Sequence, residues 1–381
     1  MKIAFIGQKG MPALYGGVEK YVEQVSQQLV ALGNEVYVYA RPYYTSKKIA
    51  KYRGVHIINL PSIHTKNLDA ISHTFLATMH AIFSGYDVIH YQGVGPSLLA
   101  WIPRILNPSI KVVTTFHSLD RKHAKWSGIA KIALTMGEWS ACKFSHQVIT
   151  VSRGLQKYCL ERYNTPTTYI PNGVQITRRF TVAKTLKTYN LKERRYFIVA
   201  ARFVSHKRIH DVISAFQNLK NKNLRLVVVG GSTFTAGYAA RLRELAAKDK
   251  RVVFTGFIDS GVIYDLMSKS LAYISASEDE GLPITLLEAL AAGAPVIVSN
   301  IDGHLEIVEQ CHGTVFEVGN ISELTACMRK GLHRQAEALK YARINKRVMA
   351  SNYNWVDIAK ALTVAYTDIQ LAPQSITQSM F

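Results

Sequence analysis

Two carboxylates, Glu280 and Glu288, frame the segment EGLPITLLE, which holds no other charge. Gly281 permits a tight turn and Pro283 suits a helix start. The segment therefore predicts a strand, LAYISAS, a turn, and a helix, ITLLEALAAG. At such a start the amides of Ile284, Thr285 and Leu286 have no intrahelical acceptor, and the positive end of the helix dipole adds to them. Together they make a site for an anion of diphosphate type. Glu280, just before the turn, can accept hydrogen bonds from sugar hydroxyls. Glu288, one turn in, can reach a ribose diol. A single acid in a first turn would be read as balancing the dipole. Two of them, spaced around this turn chemistry, favour a ligand.

Three further stretches carry chemistry. In AARFVSHKRIHD, Arg202 and Lys207 follow a strand and precede a helix, and two fixed cations there could neutralise a diphosphate leaving group. The alternative is a solvated basic loop. In PALYGGVEKY, Gly16 and Gly17 let backbone approach a ligand, but the G-x-G-x-x-G spacing of a nicotinamide-cofactor fingerprint is not met. In TTFHSLD, His117 ends a strand and Asp120 follows it. The acidic triplet Glu278-Asp279-Glu280 raises the question of a metal. Cations and a helix terminus already serve the diphosphate, so neither a metal nor a cofactor is expected.

These residues need scaffolding. At 381 residues the chain exceeds one ordinary core, which argues for two domains. It opens with the strand KIAFIG and a helix with Val18, Tyr21, Val22, Val25, Leu29 and Leu32 at helical spacing, stopped by Gly33. EVYVYA, VHIINL, DVIHYQ, KVVTTFH and QVITVS continue a strand–helix alternation. After YIPNGVQI the pattern pauses through RRFTVAKTLKTYNLKERR, read as a linker or irregular crossing. It restarts with YFIVAAR, LRLVVVGG, RVVFTGF, LAYISAS, APVIVSN and GTVFEV. Such alternation implies parallel sheets covered on both faces. The expected fold class is α/β: two doubly wound Rossmann-like domains facing across a cleft. They span 1–172 and 190–345, and 346–381 forms a C-terminal helix and tail returning to the first. Ligands in such sheets bind beyond the carboxyl ends of the strands, where the four stretches above fall.

EGLPITLLEALAAGAPVIVSN, AARFVSHKRIHDVISAF and YIPNGV resemble the retaining nucleotide-sugar glycosyltransferases of family 4, of GT-B fold. IGQKGMPALYGGVEKYVEQV and HSLDRKHAKWSGIAKIALTMGEWSACKFSHQVITVS resemble the rhamnosyltransferase-like branch of that family. The likeness runs nearly unbroken to about Asn300 and weakens after Gly319. It implies a first domain facing the acceptor and a second binding the nucleotide sugar. It places Glu280 at the donor sugar, Glu288 on the ribose, and Arg202 and Lys207 on the diphosphate. His117 falls near the sugar, and Gly16 and Gly17 face the phosphates. Where relatives commonly carry Gly after that histidine, this chain has Ser118, which reshapes the acceptor side. The implied reaction moves a hexosyl or deoxyhexosyl group to a saccharide acceptor, with retention. A nucleotide-sugar 2-epimerase would use the same architecture.

Net charge is +20, and residues 1–180 hold 21 Lys and Arg against 8 Asp and Glu. A nucleic-acid-binding protein is the non-enzymatic alternative, but no zinc-finger spacing or aromatic-basic RNA motif is present, so no nucleic-acid partner is expected. Four unpaired cysteines suggest reduced thiols in the cytoplasm. The opening apolar run is too short for a signal peptide, and no run of 18 apolar residues offers a spanning helix. Residues 101–131 gather Arg104, Lys111, Arg121, Lys122, Lys125 and Lys131, with Trp101 and Trp126, against Asp120 alone. This cluster predicts peripheral binding to an anionic membrane, on the inner face of the cytoplasmic membrane, and a lipid-linked acceptor. The next helix carries Ile129, Ile132, Ala133, Met136 and Trp139 at helical spacing, a stripe expected to be core.

Overall fold

The computed structural model describes residues 1–65, 68–122, 128–175, 182–232 and 236–369. Two sheets carry the chain. The first runs, edge to edge, Lys51–Tyr52, Val55–Asn59, Glu35–Ala40, Lys2–Ile6, Val88–Gln92, Lys111–Phe116, Gln147–Thr150 and Thr168–Tyr169. Its pairings are parallel except for the short antiparallel edge of Lys51–Tyr52 on Val55–Asn59. The second runs Val252–Gly256, Arg225–Val229, Tyr196–Ala200, Ala272–Ser275, Val296–Ser299 and Thr314–Phe316, parallel throughout. These are two Rossmann-like α/β domains, as the alternation of strands and helices predicts.

In each sheet the order reverses around the first strand of its half. Lys2–Ile6 lies between Glu35–Ala40 and Val88–Gln92, and Tyr196–Ala200 between Arg225–Val229 and Ala272–Ser275. At these switch points the following loops part to opposite sides and leave a crevice. Loops 7–16, 201–208 and 276–283 open there.

Helix Gly17–Ala31 buries Tyr21, Val22, Val25 and Leu29 against the first sheet. Helix Trp355–Thr367 lies along it. Tyr366 Oη meets His90 Nδ1 at 2.7 Å, and the Trp355 ring meets Tyr21 edge-on at 5.8 Å. The polypeptide thus crosses to the second sheet and comes back. Within the stretch read as a crossing, Val182–Thr188 is helical, with Thr185 bonded to Asp265 at 3.3 Å. Residues 176–181 lie outside the described residues.

One expectation is overturned. In helix Gly128–Phe144 the stripe read as core faces solvent: Ile129 is 83% exposed, Ile132 63%, Met136 53% and Trp139 50%, and Ala133 is exposed too. The buried face is instead Leu134, Gly137, Glu138, Ser140 and Ala141. The cause is close approach. A Cβ on Gly137 would lie 2.2 Å from the Val94 carbonyl oxygen, so the helix turns this position, not the bulky stripe, toward the protein. Glu138 completes it, accepting from Arg121 Nε at 3.1 Å and from the Tyr158 and Tyr163 hydroxyls at 2.7 and 2.8 Å. The helical period was legible; its phase was set by tertiary contact. Lys125 and Trp126, and the Lys122 side chain, lie outside the described residues.

Gly137→Val should therefore destabilise the protein by about 1–3 kcal/mol through overpacking. Gly331→Ala, at a helical site with no atom within 4 Å of the added methyl, should stabilise by up to about 1 kcal/mol. Urea midpoints moving the same way for both would contradict this packing.

Candidate active site

Strand Ala272–Ser275 delivers the chain to the loop bearing Glu280. Strand Tyr196–Ala200 leads to a short helical turn, Ser205–Lys207. The two strands are neighbours, so Lys207 and Glu280 meet as an ion pair. Ser277 Oγ donates to Glu280 Oε1 at 2.9 Å. Burial alone would raise the Glu280 pKa, but the Lys207 charge and hydrogen bond, with Ser277 and His304, outweigh it and hold the carboxyl at about 2. Beneath them His304 is buried between the Ser275 and Ser299 hydroxyls at 3.1 and 3.0 Å. Burial lowers its pKa to about 4. The acidic triplet does not converge: Glu278 binds Arg208 at 2.6 Å while Glu280 binds Lys207. Among the described residues no group of three His, Cys, Asp or Glu is placed to hold a metal ion.

The first domain meets the second on and around this loop. His117 presents its carbonyl to Gly281 so closely that a Cβ there would sit 1.9 Å from the oxygen. Only glycine admits that approach. Asn172, from the PNG segment, donates to the Leu282 carbonyl at 2.6 Å and braces the turn. Lys20, on the first helix, pairs with Glu288. Tyr15 stacks on Phe257 at 5.4 Å. The His117 ring is held by Gln92 Oε1 at 3.0 Å and by the edge of Tyr21 at 4.8 Å. Burial lowers its pKa to about 4 against the opposing pull of Asp120. Ser118 Oγ is bonded to Asp120 at 3.1 Å.

Helix Ile284–Ala292 starts from Pro283 as the sequence predicts, with one correction at its amides. Leu286 N–H donates to the Pro283 carbonyl at 3.1 Å, because the first turn tightens to an i→i+3 bond. Among the described residues nothing accepts from the amides of Ile284 and Thr285. Gly16, at φ +104°, caps helix Gly17–Ala31, where a side chain would strike the Glu19 carboxylate. Gly17 has open space around it. Arg202 is exposed at its strand end. Beside it, Lys9 lies over the Tyr15 ring at 4.8 Å. Burial lowers the Lys9 pKa, Glu19 opposes, and Arg202 and Arg41 lower it further.

The structure thus brings Glu280, Lys207, Gly281 and His117 to one locus, with Arg202 beside the glycine loop. Lys20, Ser277, His304, Asn172 and Lys9 were not singled out from the sequence. Ser277 had a local signal, a hydroxyl three residues before Glu280. Lys20 had none, lying 268 positions from its partner. A cavity of about 370 Å³ lined by Cys142, His146 and Thr165 opens at the amino ends of the first sheet's last strands, away from the strand end that carries His117.

Two family models divide the chain. Glycosyltransferase Family 4 matches residues 15–178, and Glycosyl transferases group 1 matches 184–349. The chain is a GT-B glycosyltransferase. It is similar to glycogen synthase of Mycobacterium tuberculosis, 24% identical across 96% of this chain and 94% of the relative. In fold it is similar to sucrose-phosphate synthase of Thermosynechococcus elongatus, with TM-score 0.83, 23% identity, and coverage of 96% and 98% of the two chains. It also resembles Anabaena HepE in complex with UDP-glucose, with TM-score 0.80, 19% identity, and coverage of 96% and 99%.

The transferase's histidines yield a pH prediction. His73, His117, His146 and His304 have native pKa values near 4, and His90 near 3, all below the ordinary 6.5. From pH 6.5 down to about 4 the unfolded chain binds protons that the native state refuses. Stability therefore falls across that window as pH drops. Glu280, depressed from 4.5 to about 2, adds a loss of the same sign only below about 4.5. The urea midpoint should be clearly lower at pH 5 than at pH 7.5. Equal midpoints would mean that these imidazoles are not held neutral.

Proposed function

We propose that the enzyme moves a sugar from a nucleotide-diphosphate donor to a hydroxyl of a saccharide acceptor, with retention at the anomeric carbon. The observation that carries this is the Glu280–Lys207 pair, set at a switch point of the second domain with Gly281 pressed against His117 of the first. Two domains thus contribute to one reacting centre.

As the donor reacts, the bond from the anomeric carbon to the diphosphate oxygen breaks, and one to the acceptor oxygen forms. Negative charge collects on the leaving diphosphate. Arg202, Lys207 and the amides of Ile284 and Thr285 meet it, with Gly16 and Gly17 giving the phosphates close access. The acceptor proton passes to the departing phosphate on the same face. Glu280, held ionised near pKa 2, is a weak base and a firm hydrogen-bond acceptor, suited to sugar hydroxyls rather than to nucleophilic attack. Neutral His117 can bond a hydroxyl of the sugar or acceptor. Glu288 exchanges Lys20 for the ribose diol. This scheme uses no metal or cofactor.

The acceptor is a lipid-linked saccharide, met at the inner face of the cytoplasmic membrane during assembly of a bacterial-type surface polysaccharide. The rhamnosyltransferase-like opening segments and the basic first half support this reading. The contact proposed is peripheral; no helix among the described residues is long and apolar enough to cross a membrane. HepE was solved with UDP-glucose, which makes a uridine donor the first to test.

A thermal-shift screen against UDP, GDP and TDP identifies the base. A ligand at 100 times its Kd stabilises by about 2.7 kcal/mol, and no shift with any of them contradicts donor binding. Donor conversion without acceptor would point instead to a 2-epimerase. Glu280→Gln should lower turnover about 10²-fold or more while changing nucleotide affinity less. Near-normal turnover would remove Glu280 from the site. Arg202→Ala and Lys207→Ala should weaken a nucleoside diphosphate far more than the nucleoside in calorimetry. Equal losses would place both away from phosphate.

A further inference from the structure

We infer that the outward face of helix Gly128–Phe144, with the neighbouring helix Trp101–Leu106, seats in the surface of an anionic lipid bilayer. This rests on the reading of the acceptor as lipid-linked, and it assigns the docking surface that reading needs. Ile129, Ile132, Met136 and Trp139 recur at helical spacing on the exposed side, while the small residues of the same helix face the protein. The pattern is that of an amphipathic helix with its apolar stripe turned out, the arrangement of interfacial helices. Helix Trp101–Leu106 packs beside it and exposes Trp101, Ile105 and Leu106.

Charge selects the occupant. These two helices carry one acid, Glu138, and it is buried under Arg121. Their cations are Arg104, Lys131 and Lys143, the two lysines exposed. A second copy of this face would offer those lysines no carboxylate. An anionic bilayer offers acyl chains for the apolar stripe, headgroups for the lysines and an interfacial layer for Trp101 and Trp139. Arg121, which holds the inner side of the helix, stands four residues after His117. Docking on the outer side therefore brings His117 and Ser118, read as facing the sugar and the acceptor, toward the membrane surface.

Flotation of the full-length protein with phosphatidylglycerol-containing vesicles tests this, with pure phosphatidylcholine vesicles as control. The wild type should float with the anionic vesicles and in part remain bound at about 1 M salt, where the screening length is about 3 Å. Ile132→Glu with Trp139→Glu should cut partitioning by at least about tenfold and leave the nucleoside-diphosphate thermal shift unchanged. A milder pair, Ile129→Ser with Ile132→Ser, serves if the charged pair misfolds. Flotation of the variants equal to wild type overturns the proposal. So does failure of the wild type to float, or a dimer in light scattering that these substitutions dissolve without any vesicle binding. If the wild type floats but shows no thermal shift with any nucleoside diphosphate, the docking surface stands and the donor reading falls.

Discussion

The carboxylate of Glu280 is largely withdrawn from water, and it stays charged because Lys207 reaches it from the turn after a neighbouring strand. Such a pair survives burial only when geometry is fixed and remaining lone pairs are bonded. Ser277 supplies one of those bonds, and His304 fixes the serines beneath. Everything else at the site follows from keeping those two loops together. The parallel sheet places both strand ends side by side, and the reversal of strand order opens the crevice they share.

A second constraint is the contact of His117 with Gly281. It lets two domains share one centre without a side chain between them. Asn172 and Lys20 reinforce it from separate parts of the first domain. The Lys20–Glu288 pair joins the first helix to helix Ile284–Ala292; under the proposed reaction, donor binding and domain contact would draw on the same carboxylate. The chain's last described helix returns to pack on the first one, so the carrier of Lys20 is held by both ends of the sequence.

Helix Gly128–Phe144 has two faces with different tasks. Its inner face is narrow, built on Gly137 and Ser140, and holds Arg121 through Glu138. Its outer face is left with the bulky apolar residues. The close approach at Gly137 fixes which side turns inward, and so leaves Ile129, Ile132, Met136 and Trp139 outside.

The two-domain α/β architecture was legible because strand and helix periods are local, and length alone demands more than one core. The turn at Gly281 and Pro283 was legible for the same reason: backbone chemistry reports a turn within a few residues. The helix amides were only partly so, since the tightening that takes up Leu286 is a detail of the first turn. The phase of the 128–144 stripe was not legible, because a period does not say which side is inside. That was decided by the Val94 carbonyl, about forty residues earlier in the chain. Nor was Lys20 legible as the partner of Glu288, since no local pattern links positions 268 apart. The sequence by itself determined the elements and the residue types at their ends. Only the tertiary structure decided which charges meet and which apolar face stays outside, because both depend on distances set by packing between elements remote in the chain.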